Sequence, residues 1–165
     1  MRTIKEGFLR KNLGLGKDAL IKNWLNKYKI TNYTINKDFT IDVDGDVSLD
    51  NYDDEYLPDY IQFRTVSGDM RFDNSNIKSL RGCPAKVGDH FSLIDCNQLT
   101  SLEYAPTNAC NIYIVRNEKL KSLKGLPYGA IYYIWDNGKK FEMWDVKKEI
   151  HDVKSREFYL EDFII

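Results

Sequence analysis

The chain has 165 residues and a mass of 19.3 kDa, and hydrophobic residues make up 42% of it. This length suits one domain with its own core, and the composition excludes wholesale disorder, collagen and low-complexity classes. The formal net charge is −1, from 24 basic and 25 acidic residues, so the total charge provides no general attraction to nucleic acid or to a membrane surface.

The first 37 residues are predicted to form a helical N-terminal cap. No apolar run of signal-peptide or membrane-spanning length is present, which predicts a protein that is neither secreted nor inserted in a bilayer. Residues 2–12 favour a short helix. Residues 17–30 favour a longer one, whose apolar side chains share one face in a spacing typical of core packing. These side chains are Leu20, Ile21, Trp24, Leu25 and Tyr28.

Residues 38–66 follow the cap with two predicted features. Apolar residues flank Asp44-Gly45, a dipeptide typical of tight β-turns, so we predict a hairpin with strands around 41–43 and 47–49. Asp42, Asp44 and Asp46 suggest calcium, but Gly45 follows the second aspartate rather than the third, which breaks the EF-hand spacing. The hairpin is therefore preferred. A degenerate first repeat follows, with apolar residues at Leu57, Ile61, Phe63 and Val66.

An internal repeat occupies residues 67–136. Copies at 76–84, 97–106 and 117–127 each carry two apolar anchors three residues apart and end at a proline. The period of about 21–22 residues lies within the range of leucine-rich repeats. Short alternating segments precede each copy and follow the last one, at 70–72, 91–93, 112–114 and 133–135. We predict an α+β fold: a leucine-rich-repeat-like, right-handed solenoid with one short parallel strand per repeat.

Residues 137–165 are predicted to form a C-terminal cap, which completes a single domain over 1–165. The stretch 145–165 combines charged residues with apolar residues at helical spacing, so this cap is predicted to be helical. The apolar residues are Val146, Ile150, Val153, Phe158, Leu160 and Phe163.

No residue pattern indicates catalysis, a metal or a cofactor. Cys83, Cys96 and Cys110 match neither a zinc spacing nor a disulfide framework, and we predict three buried, reduced thiols in a cytosolic protein. Gly14-x-Gly16 lacks both the preceding strand and the remainder of a phosphate-binding motif. Ser79, Ser101 and Ser122 recur at one repeat position, whereas a nucleophile would occur once beside a base, so we predict no enzymatic activity.

Aligning the four alternating segments predicts an outward sheet face. Met70, Phe91, Ile112 and Tyr133 then point inward, and Tyr113 lies beside Ile134. Exposed apolar side chains with a polar border are typical of an interaction patch. The alternative is that the C-terminal cap or a second protomer, in a homodimer, covers them. The predicted partner-binding residues are Arg71, His90, Ser92, Ile94, Tyr113, Val115, Tyr132 and Ile134.

Charge is unevenly distributed along the chain. Residues 38–59 hold nine acidic residues and no Lys or Arg, whereas residues 116–148 hold eight basic ones. The acidic stretch suits a solvated edge, but it also suits a surface that meets a basic protein or imitates nucleic acid. This alternative acidic surface comprises Asp42, Asp46, Asp50, Asp53, Asp54 and Glu55.

The repeat unit resembles that of small leucine-rich-repeat-like proteins of large tailed bacteriophages. The resemblance spans about residues 20–127 and rests on Trp24-Leu25, Ile35-Asn36, the run 41–47, Val66-Ser67-Gly68-Asp69 and the Asn-x-Leu-x-Ser-Leu-x-Gly-x-Pro units. Cys110-Asn111 has lost the Val-Gly-Asp step that 87–89 keeps, and Tyr104 stands where the unit has glycine. The resemblance implies a solenoid fold, a phage origin and a location in the host cytoplasm, and it implies no active site.

Four functions are consistent with these patterns, each as a hypothesis. The leading one is a non-catalytic module that binds a host protein, such as a defence or metabolic enzyme, and modulates or inhibits it. The second is an acidic nucleic-acid mimic that binds a protein that handles DNA or RNA, without contacting nucleic acid directly. The third is a small-ligand binder or an enzyme whose site the sequence does not reveal. The fourth is a self-assembling or virion-associated component.

Overall fold

The computed structural model describes residues 16–120 in full and the backbone of two further strands, Ile131–Asp136 and Lys139–Glu142. One helix, α1 (Lys17–Lys27), precedes the strands. The strands are β1 (Tyr33–Ile35), β2 (Ile41–Val43), β3 (Val47–Ser48), β4 (Phe63–Val66), β5 (Met70–Arg71), β6 (Lys86–Val87), β7 (His90–Ile94), β8 (Asn111–Val115), β9 (Ile131–Asp136) and β10 (Lys139–Glu142).

These strands build a β-solenoid of about four turns, which agrees broadly with the predicted repeat architecture. Sheet A has the order β1-β2-β4-β6, and sheet B has the order β10-β9-β8-β7-β5-β3. Successive turns pair in parallel, and only the outermost pairs, β1 with β2 and β9 with β10, are antiparallel. Residues 2–12 and 145–165, where further cap helices are predicted, lie outside the described residues.

The predicted hairpin at 39–49 is wrong. Strands β2 and β3 do not pair with each other; β2 belongs to sheet A and β3 to sheet B. Asp44-Gly45-Asp46 is the corner between the two sheets, and each strand finds its partner one turn later, as Val47 does with Met70. The apolar residues on both sides of the corner therefore face one core between two sheets, which a two-stranded ribbon would not provide.

The core consists of stacked apolar rows, as the repeat predicts. Met70, Phe91 and Ile112 pair in register in sheet B, and all three side chains are buried. The repeat anchors form the opposing rows, and each has at most 2% of its surface exposed; they are Ile77, Leu80, Leu99, Leu102 and Leu120. Each turn alone would leave its apolar face uncovered, so stacking is what makes the fold stable.

Helix α1 packs against this core through one face. Ile21, Trp24 and Leu25 are buried, whereas Leu20 and Tyr28 are only partly buried. The Trp24 ring lies 6.4 Å from the ring of Tyr52 and 6.2 Å from that of Phe63, both at steep interplanar angles. The aromatic face of the helix thus contacts Tyr52, which follows β3, and Phe63 on β4.

Glycines at the corner between the sheets allow the turns to stack closely. A Cβ atom at Gly68 would lie 2.1 Å from Oδ1 of Asp46, and one at Gly88 would lie 1.9 Å from the Ser67 carbonyl oxygen. The Gly88 amide instead donates to the Val66 carbonyl at 2.8 Å. Any larger residue would have to displace the backbone of the neighbouring turn, because no flexible side chain is present to move aside at Gly88.

The chain makes a second corner where it leaves sheet B. In each of the four described turns of the solenoid, one residue at this corner has a left-handed backbone conformation. Asn51, Asn74, Asp95 and Arg116 have φ between 51° and 57°. Their side chains pair across turns: Asn74 Nδ2 donates to Asn51 Oδ1 at 2.6 Å, and Arg116 Nε donates to Asp95 Oδ1 at 2.7 Å. Asparagine and aspartate tolerate this conformation best, and the pairing between turns offsets the cost at Arg116.

The cysteines differ from the prediction in one respect. Cys83 and Cys96 are buried as predicted, but Cys110 is exposed. The reason is its place at the corner that precedes β8, where the side chain lies outside the core and Sγ contacts the Gly88 carbonyl at 3.0 Å. Burial raises the pKa of Cys83 well above its ordinary value and raises that of Cys96 to about 11, so both thiols stay protonated at neutral pH.

We predict that Gly88→Ala destabilises the protein by about 2 kcal/mol or more, because the added methyl group meets backbone atoms. Urea denaturation followed by circular dichroism would measure the change. Gly16→Ala is the control, since a Cβ there has no neighbour within 4 Å; its effect should be about 1 kcal/mol or less. Equal effects of the two substitutions would contradict the close-stacking explanation.

We also predict that a thiol reagent such as Ellman's reagent modifies one cysteine of the native protein rapidly, and all three after denaturation. The physical reason is that the thiolate is the reactive form and that burial suppresses it at Cys83 and Cys96. The variant Cys110→Ser should abolish the rapid phase. Rapid modification that survives this substitution would show that the core is open.

Candidate functional site

The outer face of sheet B brings together most of the predicted partner-binding residues. Arg71, Ser92 and Tyr113 pair directly across β5, β7 and β8, and Ile94 pairs with Val115. His90 opens β7 beside them. These six residues form a surface that we name the sheet B face.

The apolar part of this face is partly exposed. Ile94, Tyr113 and Val115 are each intermediate in burial, neither packed in the core nor fully solvated. Ile94 and Val115 stand side by side on adjacent parallel strands. A partner that covered them would remove further apolar surface from water, which favours association.

Hydrogen bonds hold His90 in a defined orientation. Its amide donates to Oδ1 of Asp69 at 3.0 Å, and its ring nitrogen Nδ1 lies 3.0 Å from Nδ2 of Asn111. The imidazole also contacts the Tyr113 ring edge to face, with centroids 5.6 Å apart and an interplanar angle of 84°. This arrangement orders the two rings and so reduces the entropy that a partner would have to remove.

Ser92 lies on the predicted row but is buried, with 5% of its surface exposed. Its hydroxyl donates to Oδ1 of Asp73 at 2.6 Å, and the same oxygen accepts from the Ile94 amide at 3.2 Å. Ser92 therefore ties neighbouring turns together beneath the surface.

Arg71 supplies the charge of the sheet B face. Its side chain is 44% exposed, and Nη2 lies 3.9 Å from Oδ2 of Asp50, which is a loose ion pair. Its Nε atom is buried without a hydrogen-bond partner among the described residues. The exposed part of the guanidinium, and not the buried Nε, can donate to an incoming acceptor.

The register of β9 differs by one residue from the sequence alignment. Tyr132 pairs with Ile112, Tyr133 with Tyr113, and Ile134 with Ile114. The alignment that placed Ile134 beside Tyr113 is therefore wrong. The reason is that 20 residues separate Ile112 from its partner, whereas 21 separate Phe91 from Ile112. Because strand rows alternate, this shift puts Tyr132 and Ile134 in the register of the inner row.

The alternative acidic surface is spread around the first turn and does not form one face. Asp42 lies on sheet A, Asp46 lies at the corner and Asp50 follows β3. The other three lie in the return segment of this turn, which is the stretch that leads from β3 in sheet B back to β4 in sheet A. Asp46 Oδ1 accepts from the Asp69 amide at 2.8 Å, so its carboxylate serves the stacking of turns. Cations of the next turn face Asp42, Asp50 and Glu55; these are Arg64, Arg71 and Lys78, respectively.

Asp42 is the most strongly engaged of these carboxylates. The Arg64 guanidinium hydrogen-bonds both carboxylate oxygens, the Thr65 hydroxyl donates to Oδ1 at 2.7 Å, and Asn36 Nδ2 donates to Oδ2 at 3.1 Å. The contact with Arg64 holds the pKa of Asp42 well below its ordinary value. Asp42 thus acts as a fixed electrostatic link between two turns of sheet A.

The described residues include no group of three His, Cys, Asp or Glu side chains placed to hold a metal ion. The one helix of this part of the chain has eleven residues, too few to cross a bilayer. Comparisons with protein-family models, with curated proteins and with solved structures give no significant match.

Sequence reasoning missed three exposed aromatic residues, Phe39, Tyr56 and Tyr104, none of which lies on the sheet B face. For Tyr104 the sequence did contain a signal. The preceding repeat has Gly82 at the equivalent position, two residues after the second anchor, and a bulky residue in place of a glycine there indicates an unusual turn.

We predict that Asp42→Asn lowers stability at pH 7 and that its difference from the wild type shrinks as the pH falls toward 2. The folded-state pKa lies below the unfolded value of about 3.9, so the stabilisation is full above that value and is lost as the pH falls through the folded pKa. Urea midpoints at several pH values would measure it. The control Asp53→Asn removes a carboxylate of the same turn and leaves the Arg64 contact intact; a pH-independent loss in Asp42→Asn would contradict the assignment.

Proposed function

We propose that this protein is a non-catalytic binding module that engages a protein partner through the sheet B face. The partner that the bacteriophage resemblance suggests is a host protein, whose activity the module would modulate or inhibit. The observation that carries the proposal is the cluster of partly exposed apolar side chains, Ile94, Tyr113 and Val115, on a face that also carries the exposed charge of Arg71.

The architecture of sheet B supports this proposal. Parallel sheets in proteins are usually covered on both faces, because their strands carry apolar residues on both sides. Here β7 and β8 keep apolar residues in the outer row as well as in the buried inner row. Tyrosine and arginine are also enriched among the residues that contribute most to binding energy at interfaces.

The repeated serines support a structural role and not a catalytic one. Ser79 Oγ accepts from the Arg81 amide at 3.2 Å, and Ser101 Oγ accepts from the Glu103 amide at 3.0 Å. Both hydroxyls therefore close the same turn in successive repeats. Such local side-chain bonds are a common use of serine in turns.

The acidic stretch gives the nucleic-acid-mimic hypothesis less support than the sheet B face gives the binding-module hypothesis. Imitating a phosphate backbone requires a run of carboxylates free to meet cations of the partner. Three of the six predicted carboxylates already face cations of the next turn, and Asp46 accepts a backbone amide. The acidic residues are thus largely used between turns.

We predict that the double substitution Ile94→Lys with Tyr113→Glu abolishes partner binding, because it places two charges among the apolar side chains of the sheet B face. Affinity capture from bacterial lysate at low and at high salt, read by mass spectrometry, would compare it with the wild type. Lys86→Glu is the control, since Lys86 is an exposed residue of β6 on sheet A and changes charge away from the face.

A stoichiometric partner that resists high salt, is lost with the double variant and is kept by Lys86→Glu would support the proposal. Circular dichroism of each variant would verify that the fold is intact. The proposal is wrong if the double variant, still folded, retains the same partner. A partner lost at high salt and insensitive to the face substitutions would instead favour the acidic surface.

A further inference from the structure

A groove of about 450 Å³ lies where the segments that return from sheet B meet sheet A, and none of the six residues of the sheet B face lines it. Its lining comes from successive turns and includes Phe63 on β4, Arg81 and Pro84 between β5 and β6, and Tyr104 between β7 and β8. This volume falls in the range of small-molecule sites, which are mostly apolar with a few polar groups.

Tyr104 is held in an unfavourable backbone conformation at the mouth of this groove. Its φ is +69°, and the Ala105 amide donates to the Leu102 carbonyl at 3.0 Å. The preceding repeat makes the same turn, from Cys83 to Leu80, with Gly82 at φ +99°. A positive φ at this position of a turn normally selects glycine, so a tyrosine there costs stability.

The Tyr104 side chain gains no compensating burial, since 55% of its surface is exposed. A strained residue with an exposed aromatic ring is destabilising for the folded protein alone. Strain of this kind is concentrated at binding and catalytic sites, where surrounding structure maintains it. The ring offers a flat apolar surface on which another ring can stack.

The electrostatics of the groove favour an anion. Two arginines line it, Arg64 and Arg81, and no carboxylate does. Arg64 is neutralised by Asp42. Arg81 is exposed, and among the described residues no carboxylate lies within ion-pair distance of it. Its guanidinium can therefore make a bidentate contact with a carboxylate or a phosphate.

The floor of the groove is apolar and does not compete for the anion. It is formed by buried Phe63, Cys83 and Pro84, with Ala85 and Ala105 beside them. The Thr107 hydroxyl donates to the Ala85 carbonyl at 3.0 Å. The lining thus combines one cation that has no ion-pair partner among the described residues, one exposed ring and an apolar base.

We infer that this groove binds a flat organic anion, a ring that carries a carboxylate or a phosphate, with the ring against Tyr104 and the anionic group at Arg81. This site is separate from the sheet B face and does not depend on the proposed function. It accounts for a tyrosine with positive φ at the position where the preceding repeat has Gly82.

The test uses two ring-bearing anions as probes, adenosine monophosphate for phosphate and indole-3-acetate for carboxylate. Titration followed by ¹H–¹⁵N NMR should show saturable shifts of the backbone amides of 82–85 and 104–107, with a Kd of about 1 mM or tighter for at least one probe. Adenosine and inorganic phosphate are the half-probes, and each should bind at least about tenfold more weakly than adenosine monophosphate if the phosphate probe binds.

Four variants, one of them a control, separate the contributions of the two side chains. Arg81→Ala should weaken binding about tenfold or more, whereas Lys78→Ala, which removes a cation outside the groove, should leave it unchanged. Tyr104→Gly should also weaken binding while raising the midpoint of urea unfolding, because glycine relieves the positive φ. Tyr104→Phe keeps the ring and should keep the affinity.

Saturation by one probe alone supports the inference and identifies the anionic group as phosphate or carboxylate. The inference is overturned if neither probe saturates at about 10 mM, or if Arg81→Ala binds as well as the wild type. It is equally overturned if a half-probe binds as tightly as adenosine monophosphate, since either the ring or the anion would then be irrelevant. A loss of binding in Tyr104→Gly cannot be ascribed to unfolding, because that variant is expected to be the more stable protein.

Discussion

The structure depends on how closely one turn can lie upon the next. At Gly88 the backbone amide bonds to the Val66 carbonyl of the previous turn, and a Cβ atom there would meet backbone atoms of that turn. Carboxylates extend the same contact: Asp46 accepts the amide of Asp69, and Asp69 accepts that of His90. If this spacing widened, the apolar rows beneath it would lose the contacts that stabilise each repeat.

Ion pairs between charged side chains of neighbouring turns also contribute to the stacking. Ion pairs join positions 21–23 residues apart, as in Asp42 with Arg64 and Asp95 with Arg116. A pair that is exposed on a surface contributes little by itself. Here the pairs sit over backbone that is already in register, so they select the correct alignment of turns more than they add to total stability. The acidic character of the early sequence follows from this use.

Much of the fold could be predicted from periodicity, because each repeat places its anchors at fixed offsets from a short alternating segment. Val47 shows the limit of that approach. Asp44-Gly45 has the local chemistry of a hairpin, and only pairing with the next turn, which no local signal reveals, makes it a corner. The β9 register failed for a related reason, since the last repeat is one residue shorter. Most of the sheet B face followed from alternation, whereas the groove at Tyr104 required tertiary contacts between three turns.

The reversal of direction at β10 has a consequence for how this protein could change in length. Strand β10 runs antiparallel to β9, whereas every other described pair in sheet B is parallel. A further repeat appended after β10 would meet a strand of the wrong polarity and could not continue the coil. Gain or loss of repeats that keeps this arrangement therefore takes place inside the stack, by duplication or deletion of whole units between α1 and the β9–β10 hairpin. Sheet B then lengthens or shortens in steps of about 4.8 Å, the spacing of neighbouring strands.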